Sequence, residues 1–288
     1  MSNRNIIWIT GVKGFVGSVV ADRLEQAGFT IIGTDAELSV CEPERLEAFA
    51  EEIQPGVVIN CAGIRREATT LSTRVKAYEV NALGARNVAL AANTIGATVV
   101  QVSSDDVYAS KLNEAVNEFD NPQPDSPYGK SKRAGEMMVR NTTDNHIIIR
   151  SSWLYHAYSG RFKDILDAAI AGKTYAARTD QFAAPTSVAT YVELLIRAIK
   201  DRTTGTFHVT DKGSTSRYGF AAKVLEYAGY DPSKVLVAEE DPATAENVVL
   251  ESLLLEMAGI EMPTWEEDLA AYMKSVNLYD PAPARENI

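Results

Sequence analysis

A tyrosine and a lysine four positions apart are the residues whose types and spacing most clearly predict chemistry. Tyr128 and Lys132 lie in Tyr-Gly-Lys-Ser-Lys at the start of a predicted helix, so their side chains share one face. A phenol titrates at about pH 10, but a neighbouring ammonium favours its phenolate form. Ser104, in Val-Ser-Ser-Asp at the end of a predicted strand, adds a hydroxyl that can bind a carbonyl or alkoxide oxygen. These three side chains predict proton transfer at an oxygen atom.

A second group of residues predicts a nucleotide-binding turn. The run Gly11-Val12-Lys13-Gly14-Phe15-Val16-Gly17 lies between the first predicted strand and the first predicted helix. Glycines there let the backbone turn tightly and approach a pyrophosphate, which the N–H groups of the helix N-terminus can bind. The glycine spacing differs from G-x-G-x-x-G and indicates another branch of dinucleotide-binding proteins. A glycine-rich turn that binds nothing is the alternative.

Two charged residues bear on the choice of dinucleotide. Asp35 follows the second predicted strand, where a carboxylate can accept hydrogen bonds from the ribose hydroxyls of adenosine. This position favours NAD(H). Lys13 projects from the glycine turn and can offer its charge to a 2′-phosphate, so the sequence favours NAD(H) over NADP(H) only slightly.

The elements that must position these residues alternate between short strands and longer helices. Strands are predicted at residues 5–10, 30–34, 57–60, 98–103 and 146–151. Helices are predicted at residues 15–26, 42–53, 71–95 and 128–141. The strands are continuous apolar runs, which is typical of parallel strands buried on both faces. The fold class is therefore predicted to be α/β, with a doubly wound parallel sheet of the Rossmann type.

The pattern changes after residue 151. Helices are predicted at 162–171, 187–200, 216–228 and 265–276, strands at 206–210 and 235–238, and a loop at 179–185. This pattern predicts a smaller α+β lobe. We therefore expect a dinucleotide-binding domain over 1–151 and a mainly substrate-binding lobe over 152–288, which can return to the first domain.

Composition and charge limit the classes of partner. The chain has a formal net charge of −11, with 45% hydrophobic and 23% charged residues, which is typical of a globular protein. This charge argues against nucleic acid and against an anionic membrane surface as partners. Only Cys41 and Cys61 are present, without the spacing of a disulfide framework, so a reducing cytoplasm is expected. No apolar run is long enough for an export signal or a membrane span.

Eight segments along the chain carry a resemblance to a known family. They are the glycine run at 11–17, Pro-Gly-Val-Val-Ile-Asn at 55–60, Val-Asn-Ala at 80–82, Ser-Ser-Asp at 103–105, Tyr-Gly-Lys-Ser-Lys with Ala-Gly-Glu at 128–136, Arg-Ser-Ser-Trp-Leu-Tyr at 150–155, Asp-Gln with Pro-Thr at 180–186, and Gly-Thr-Phe-His-Val at 205–209. The sequence resembles the extended short-chain dehydrogenases/reductases, and within them it is most similar to the dTDP-4-dehydrorhamnose reductases.

This resemblance implies hydride transfer from NAD(P)H to a keto group of a sugar, with a nucleotide-linked 4-keto-6-deoxy sugar as substrate. It implies that Tyr128 donates the proton, that Lys132 binds the nicotinamide ribose and lowers the tyrosine pKa, and that Ser104 polarises the carbonyl. Asn81 matches the asparagine that supports the active-site backbone in the family. The implied cofactor contacts are Gly11, Lys13, Gly14, Phe15, Val16, Gly17, Asp35, Asn60, Cys61, Ala62, Gly63, Asn81, Tyr128 and Lys132.

Substrate contacts are implied for Asp105, Trp153 and Gln181. Arg65, Arg66 and Arg161 are further candidates, because arginine can hold a phosphate or carboxylate, with surface solvation as the alternative. The segment 245–250 reads Ala-Glu-Asn-Val-Val-Leu where the family carries Arg-Pro-x-x-Ser-x-Leu, so the usual contacts to the nucleotide sugar are altered there. Magnesium is possible in relatives but has no support in this sequence.

Two other functions stay open at this point. A nucleotide-sugar epimerase or dehydratase would use the same residues but would retain its cofactor between half-reactions. A non-catalytic, NAD(P)-binding regulatory subunit is the alternative outside the enzymes, and the intact set of Ser104, Tyr128 and Lys132 argues against it. The resemblance also makes a homodimer possible.

Overall fold

The computed structural model describes residues 3–110 and 114–280. Its strands are β1 (Asn3–Thr10), β2 (Thr30–Thr34), β3 (Pro55–Asn60), β4 (Thr98–Val102), β5 (His146–Arg150), β6 (Leu154–Tyr155), β7 (Tyr175–Arg178), β8 (Gln181–Ala183), β9 (Thr186–Ser187), β10 (Gly205–His208), β11 (Thr215–Ser216), β12 (Leu236–Glu239) and β13 (Glu246–Asn247). Its α-helices are α1 (Phe15–Gln26), α2 (Pro43–Ile53), α3 (Arg74–Tyr78), α4 (Ala85–Thr94), α5 (Pro127–Thr142), α6 (Arg161–Ile170), α7 (Val188–Asp201), α8 (Arg217–Tyr227), α9 (Pro232–Val235), α10 (Leu253–Met257) and α11 (Trp265–Ser275). Short 3₁₀ helices cover Arg66–Ala68 and Asp105–Val107, and a π-helix covers Glu79–Gly84.

The main sheet has the strand order β10-β5-β4-β3-β1-β2. Strand β1 pairs in parallel with both β2 and β3, while β4 pairs in parallel with β3 and β5. The predicted Rossmann-type α/β fold is thus confirmed. The chain order reverses between β1 and β3, and ligands of such sheets bind at the carboxyl ends of the strands beside this reversal. Thr10 and Asn60 end the two strands and are paired there.

Apolar packing on the sheet explains why the strands carry no alternating pattern. Every residue of β3 is buried, as parallel strands covered on both faces require. One side of the core joins Trp8 and Val58 of the strands to Leu46 of α2 and Val88 of α4. The sheet is therefore rigid, and it holds in place the polar residues at the ends of its strands.

The chain divides into two compact units. The first continues through Ala109 and resumes at Phe119–Arg150 and Val192–Phe207, so it contains the main sheet. The second takes in Ser110–Glu118, Ser151–Tyr191 and the chain from His208 onwards. Aromatic residues form the core of the second unit: Tyr155, Phe162, Phe220, Trp265 and Tyr272. The domain boundary near residue 151 stays a prediction.

Two elements differ from their predictions. The helix predicted at 71–95 is interrupted by the π-helix, where the carbonyl oxygen of Asn81 would lie 2.2 Å from a Cβ added to Gly135 of α5. This close approach of two backbones has no local sequence signal. The loop predicted at 179–185 was wrong because β8 lies in it and pairs with β11 and β13, which are distant in sequence. None of the helices described is long and apolar enough to cross a membrane.

Candidate active site

The glycine turn after β1 is built so that only backbone fits. A Cβ on Gly11, whose φ is +68°, would lie 2.7 Å from the Cα of Ala62, and a Cβ on Gly17 would lie 2.3 Å from the carbonyl oxygen of Gly11. Helix α1 follows directly, and its N-cap Gly14 makes no side-chain hydrogen bond. A turn without side chains, followed directly by a helix N-terminus, is the arrangement that binds a pyrophosphate. These residues therefore fit a dinucleotide.

The segment after β3 lies against this turn. Thr10 donates a hydrogen bond of 2.7 Å to Asn60, which in turn donates one of 2.8 Å to Gln101. The amide of Asn60 therefore joins the ends of β1, β3 and β4 and is itself buried. The next residue, Cys61, has a thiol pKa raised to about 12 by burial, which keeps it neutral. Asn60 thus holds the strand ends together beneath the predicted cofactor contacts at 61–63.

Asp35 lies where the sequence analysis places the adenosine ribose. Its carboxylate accepts a hydrogen bond of 3.0 Å from the backbone N–H of Lys13 in the glycine turn. The Lys13 ammonium lies 3.5 Å from the carboxylate of Glu37, and both side chains are exposed. Glu37 also accepts a hydrogen bond of 2.8 Å from the backbone N–H of Asp35. The charge of Lys13 is therefore met by a carboxylate that the sequence analysis did not identify.

Ser104 lies two residues beyond the end of β4 and caps the 3₁₀ helix Asp105–Val107. Its Oγ lies 2.9 Å from a carboxylate oxygen of Asp105 and 3.1 Å from one of Asp106. The single hydroxyl proton can be donated to either carboxylate. Ser104 is thus held at the carboxyl edge of the sheet with two acidic neighbours, and only Asp105 was predicted to belong to the site.

Tyr128 stands in the first turn of α5. The helix begins at Pro127, and the Ser126 hydroxyl accepts a hydrogen bond of 2.9 Å from the backbone N–H of Gly129. A Cβ on Gly129 would lie 1.9 Å from the carbonyl oxygen of Asp106, so this turn lies directly on the 3₁₀ helix. The order of elements therefore brings Tyr128 to the end of β4.

The electrostatic setting of Tyr128 differs from the expectation. Burial raises the pKa of Tyr128, the charges of Asp106, Asp105 and Glu67 raise it further, and Arg66 opposes them. The lowering of the pKa expected from Lys132 was wrong for this arrangement, because desolvation and nearby carboxylates favour the neutral phenol. The phenol is therefore held in the form that can donate a proton.

Lys132 lies one turn further along α5, and its ammonium donates a hydrogen bond of 2.6 Å to the carbonyl oxygen of Val102 at the end of β4. Burial lowers the pKa of Lys132 to about 8, and the charges of Glu136 and Asp106 oppose this effect. The residue is only 8% exposed, so its charge faces the strand ends rather than solvent. Ser104, Tyr128 and Lys132 all belong to the region where β4 ends.

Asn81 joins the loop after β3 to α5. Its side chain accepts a hydrogen bond of 2.8 Å from the N–H of Ile64 and donates one of 3.1 Å to the carbonyl oxygen of the same residue. It also donates one of 2.9 Å to Ser131, whose hydroxyl donates one of 2.7 Å to the carbonyl oxygen of Tyr128. Asn81 therefore supports backbone around Tyr128, and Ser131 is a supporting residue that sequence reasoning missed.

Glu136 is a second supporting residue that was not predicted. Its carboxylate is fully buried and accepts hydrogen bonds of 2.7 Å from Ser103 and 2.8 Å from two nitrogens of Arg150. Arg133 adds a further ion pair of 3.0 Å. Paired in this way, a buried carboxylate fixes the end of β4 and the end of β5 against α5. The sequence signals were the place of Glu136 in the family segment Ala-Gly-Glu and its position on the face of α5 that carries Lys132, and neither identified its partners.

Among the predicted substrate residues of the first unit, Arg65 is exposed, whereas Arg66 lies 3.4 Å from the carboxylate of Asp106. In the second unit, Arg161 is exposed at the start of α6. Trp153 has a φ of +38°, and the guanidinium of Arg217 lies 3.3 Å from the centre of its ring.

Gln181 lies on β8 and donates a hydrogen bond of 3.1 Å to the carbonyl oxygen of Thr244. A shallow, open depression of about 400 Å³ lies beside it in the second unit, and its lining residues are Asp180, Phe182, Ala245, Glu246 and Asn247. The last three of these residues belong to the segment whose sequence departs from the family pattern. In the described ranges, 3–110 and 114–280, no group of three or more His, Cys, Asp or Glu side chains is arranged to hold a metal ion.

The main sheet is parallel, and the turn after its first strand consists of glycines that leave room only for backbone. Ser104, Tyr128 and the buried Lys132 follow β4. This combination defines a class of NAD(P)-dependent oxidoreductases, the extended short-chain dehydrogenases/reductases. Residues 4–278 match the family described as the RmlD substrate binding domain, and the chain belongs to that family.

Relatives over nearly the whole chain agree with this membership. A spore coat polysaccharide biosynthesis protein, SpsK of Bacillus subtilis, is 31% identical over 93% of this chain and 96% of its own length. A dTDP-4-dehydrorhamnose reductase of Burkholderia thailandensis is 28% identical over 90% of this chain and 95% of its own length. The crystal structure of a dTDP-4-dehydrorhamnose reductase of Bacillus anthracis in complex with NADP has a TM-score of 0.88 and 30% identity, and the match covers 95% of this chain and 100% of that chain.

Proposed function

We propose that this protein reduces the keto group of a nucleotide-linked 4-keto-6-deoxy sugar with NAD(P)H. The observation that carries the proposal is the arrangement after β4, where Ser104 caps a 3₁₀ helix, Lys132 donates to Val102, and the backbone of Gly129, next to Tyr128, packs on Asp106. The family relatives named as dTDP-4-dehydrorhamnose reductases support the substrate class. The sequence departs from the family pattern at Ala245, Glu246 and Asn247, so the identity of the sugar and of the nucleotide has to be measured for this chain.

The residues of the chain have separate roles in this reaction. Bound at the glycine turn, the reduced nicotinamide cofactor supplies the hydride. The Ser104 hydroxyl turns from its carboxylate neighbours and donates to the substrate carbonyl oxygen, which develops negative charge. Tyr128 donates the proton that this oxygen needs. Lys132 would bind the nicotinamide ribose, and its ammonium would compensate the negative charge left on the Tyr128 oxygen after proton transfer.

The stoichiometry of cofactor use tests this proposal. Purified protein is incubated with NADH or NADPH and a dTDP-4-keto-6-deoxy sugar, and cofactor oxidation is followed by absorbance while the sugar is followed by NMR. A reductase oxidises one cofactor for each alcohol formed. Product without net cofactor oxidation would identify an epimerase instead. Tight NAD(P)H binding without conversion of any keto sugar would favour the regulatory subunit.

We also propose that NADH is the preferred cofactor. The carboxylates of Asp35 and Glu37 lie around Lys13, at 3.0 Å from its backbone nitrogen and 3.5 Å from its ammonium, and would face a 2′-phosphate. Like charges disfavour that phosphate, whereas the hydroxyls of an unmodified ribose can donate to Asp35. The Bacillus anthracis relative was crystallised with NADP, so the cofactor preference of this chain has to be measured.

The double variant Asp35→Asn, Glu37→Gln is expected to shift the ratio of kcat/KM for NADPH over NADH upward by about tenfold, because it removes two charges from the phosphate environment. Initial rates with each cofactor at saturating keto sugar give this ratio. Asp22→Asn, an exposed change on α1, is the control and leaves the ratio unchanged. An unaltered ratio in the double variant would show that these carboxylates do not select the cofactor.

A cytoplasmic location and a homodimer belong to the same proposal. The two cysteines are free thiols, which suits a reducing compartment where NAD(P)H is available. The homodimer stays a prediction, and light scattering of the purified chain measures it directly.

A further inference from the structure

An arginine that the sequence analysis did not single out lies on the ring of a predicted substrate residue. Arg217 is the first residue of α8, and its guanidinium carbon lies 3.3 Å from the centre of the Trp153 ring. Both residues are half-buried. At so short a distance the planar guanidinium stacks on the indole. The N–H groups of a guanidinium lie in its own plane, so a stacked ring does not block them.

Neighbouring parts of the chain hold both members of this stack. Strand β6 begins directly after Trp153 and pairs in parallel with β9. Strand β11 ends directly before Arg217 and pairs antiparallel with β8. Only Ala184 and Pro185 separate β8 from β9. The stack therefore depends on two strand pairings made by one short segment.

The pairing of β11 also directs Arg217 towards a second predicted substrate residue. Ser216 of β11 lies opposite Phe182 of β8. In an antiparallel pair the next residue of one strand follows towards the preceding residue of the other, so Arg217 continues along β8 towards Gln181. Two of the residues predicted to contact substrate, Trp153 and Gln181, are thus related through one arginine.

The backbone of Trp153 has an unusual conformation. Its φ of +38° lies in the left-handed region, which bulky residues rarely adopt. Strained residues of this kind persist where the surrounding structure holds them, and they concentrate at ligand-binding sites. Strand β6 and the Arg217 guanidinium hold this one. The strain therefore indicates that the position of the indole serves a ligand.

Charge indicates the kind of ligand. The chain has a formal net charge of −11, so a substrate that carries phosphate groups needs local positive charge. Asp180 directly precedes β8, and its carboxylate accepts two hydrogen bonds of 2.8 Å from Arg178. That carboxylate is therefore already compensated by another arginine.

We propose that Arg217 binds the diphosphate of the nucleotide-linked substrate, with its guanidinium oriented by the Trp153 ring. The inference rests on the proposed function, in which the substrate carries a nucleoside diphosphate. A guanidinium can donate two parallel hydrogen bonds to one phosphate group. Because the stack already restrains Arg217, it loses less side-chain freedom on binding than the exposed Arg65 and Arg161 would.

Removal of the guanidinium should weaken binding of the diphosphate selectively. Arg217→Met keeps a long side chain beside the indole but has no charge and no N–H donor, so the Kd for a nucleoside diphosphate is expected to rise by about 10- to 100-fold. The Kd for the corresponding nucleoside should not change. Arg217→Lys keeps the charge but not the planar pair of donors, so its Kd for the diphosphate should lie between the other two values.

Isothermal titration calorimetry of the full chain measures these constants with dTDP, UDP, GDP and CDP, and NMR titration measures the weaker binding of the four nucleosides. NADH is present in excess, so that its own diphosphate occupies the glycine turn. An unchanged Kd for NADH shows that each variant is folded. Arg86→Met, an exposed change on α4, is the matched control and leaves every constant at its wild-type value.

Three results overturn the proposal: an unchanged Kd for the diphosphate in Arg217→Met, an equal loss for the diphosphate and its nucleoside, or a wild-type chain that binds none of the four diphosphates. An equal loss would assign Arg217 a structural role. In turnover, the KM for the keto sugar should rise in Arg217→Met while kcat stays close to wild type, because the contact is made before the chemical step and persists through it.

The titration needs no keto group, so it can succeed when no sugar is reduced. Conversely, keto reduction by a chain whose Arg217→Met variant binds the diphosphate normally would leave the proposed function standing and reject this inference. The two failures are therefore distinguishable.

Discussion

Tyr128→Phe is expected to lower kcat for keto reduction by about 10²- to 10⁴-fold, because it removes the proton donor while leaving the ring in place. The phenol stands in the first turn of α5, and the contacts that fix this turn come from the backbone of Gly129 and from Ser131. Neither contact involves the phenolic oxygen. The variant should therefore fold as the wild type does and should bind NAD(P)H with nearly unchanged affinity, as measured by fluorescence titration.

A matched control separates chemistry from the loss of a hydroxyl. Tyr78→Phe on α3 removes an identical group from a residue that is 37% exposed, and its turnover should equal that of wild type. If Tyr128→Phe oxidised NAD(P)H with a keto sugar at the wild-type rate, Tyr128 would not be the proton donor. Loss of cofactor binding together with activity would instead assign Tyr128 a role in holding the nicotinamide ribose.

The parts of the site that the sequence predicts are those whose signal is local. The glycine turn follows a strand within a few residues, and Tyr128 and Lys132 lie one helical turn apart, so spacing alone carries their geometry. Helix α1 begins and ends where its apolar period and flanking glycines predict. Such features need no knowledge of distant residues, which is why the fold class and the three central side chains could be predicted together.

The electrostatics could not be predicted in the same way. The sequence places an ammonium one turn from the phenol and so predicts a lowered tyrosine pKa, yet the pKa is raised. Asp106 and Glu67, whose charges raise this pKa, lie on two separate 3₁₀ helices. The Lys132 ammonium donates its hydrogen bond to the carbonyl oxygen of Val102. Burial and the charges of residues distant in sequence thus set the pKa of Tyr128. Neither can be read from the four-residue spacing between Tyr128 and Lys132.

A similar limit applies to the residues that hold the site. Glu136, Ser103 and Arg150 lie on α5, after β4 and on β5, and they meet only when the sheet and helix are assembled. The buried carboxylate is tolerated because donors surround it, and removing them would leave an uncompensated charge. In sequence, the same Glu stands in a segment that carries the family resemblance, but nothing in that segment shows that it is buried or which residues it pairs with.

A buried acid pair in the second unit is expected to make the stability of this protein depend on pH. Asp268 on α11 accepts hydrogen bonds of 3.0 Å from Tyr155, 2.7 and 2.9 Å from Ser187, and 2.5 Å from Thr190. Asp211 is 1% exposed, and within the described residues neither of its carboxylate oxygens has a hydrogen-bond partner. Burial, and then the charge of Asp268, raise the pKa of Asp211 from 3.8 to about 10.

The folded protein must therefore keep a proton on Asp211 that the unfolded chain releases. Between pH 3.8 and about 10 the folded state binds more protons than the unfolded state, so the free energy of unfolding falls as pH rises. One proton corresponds to about 1.4 kcal/mol per pH unit, or about 3 kcal/mol between pH 6 and pH 8. Below pH 3.8 both states are protonated and this dependence ends.

Asp211→Asn is expected to remove this dependence, because an amide of the same shape is neutral without binding a proton. Urea unfolding at pH 6 and pH 8 should show a smaller loss of stability in the variant, by about 3 kcal/mol, and a higher free energy of unfolding at pH 8. Asp144→Asn, an exposed change, should follow the wild-type pH dependence. Parallel curves for wild type and Asp211→Asn would show that Asp211 is ionised in the folded protein and does not carry the proton that this prediction requires.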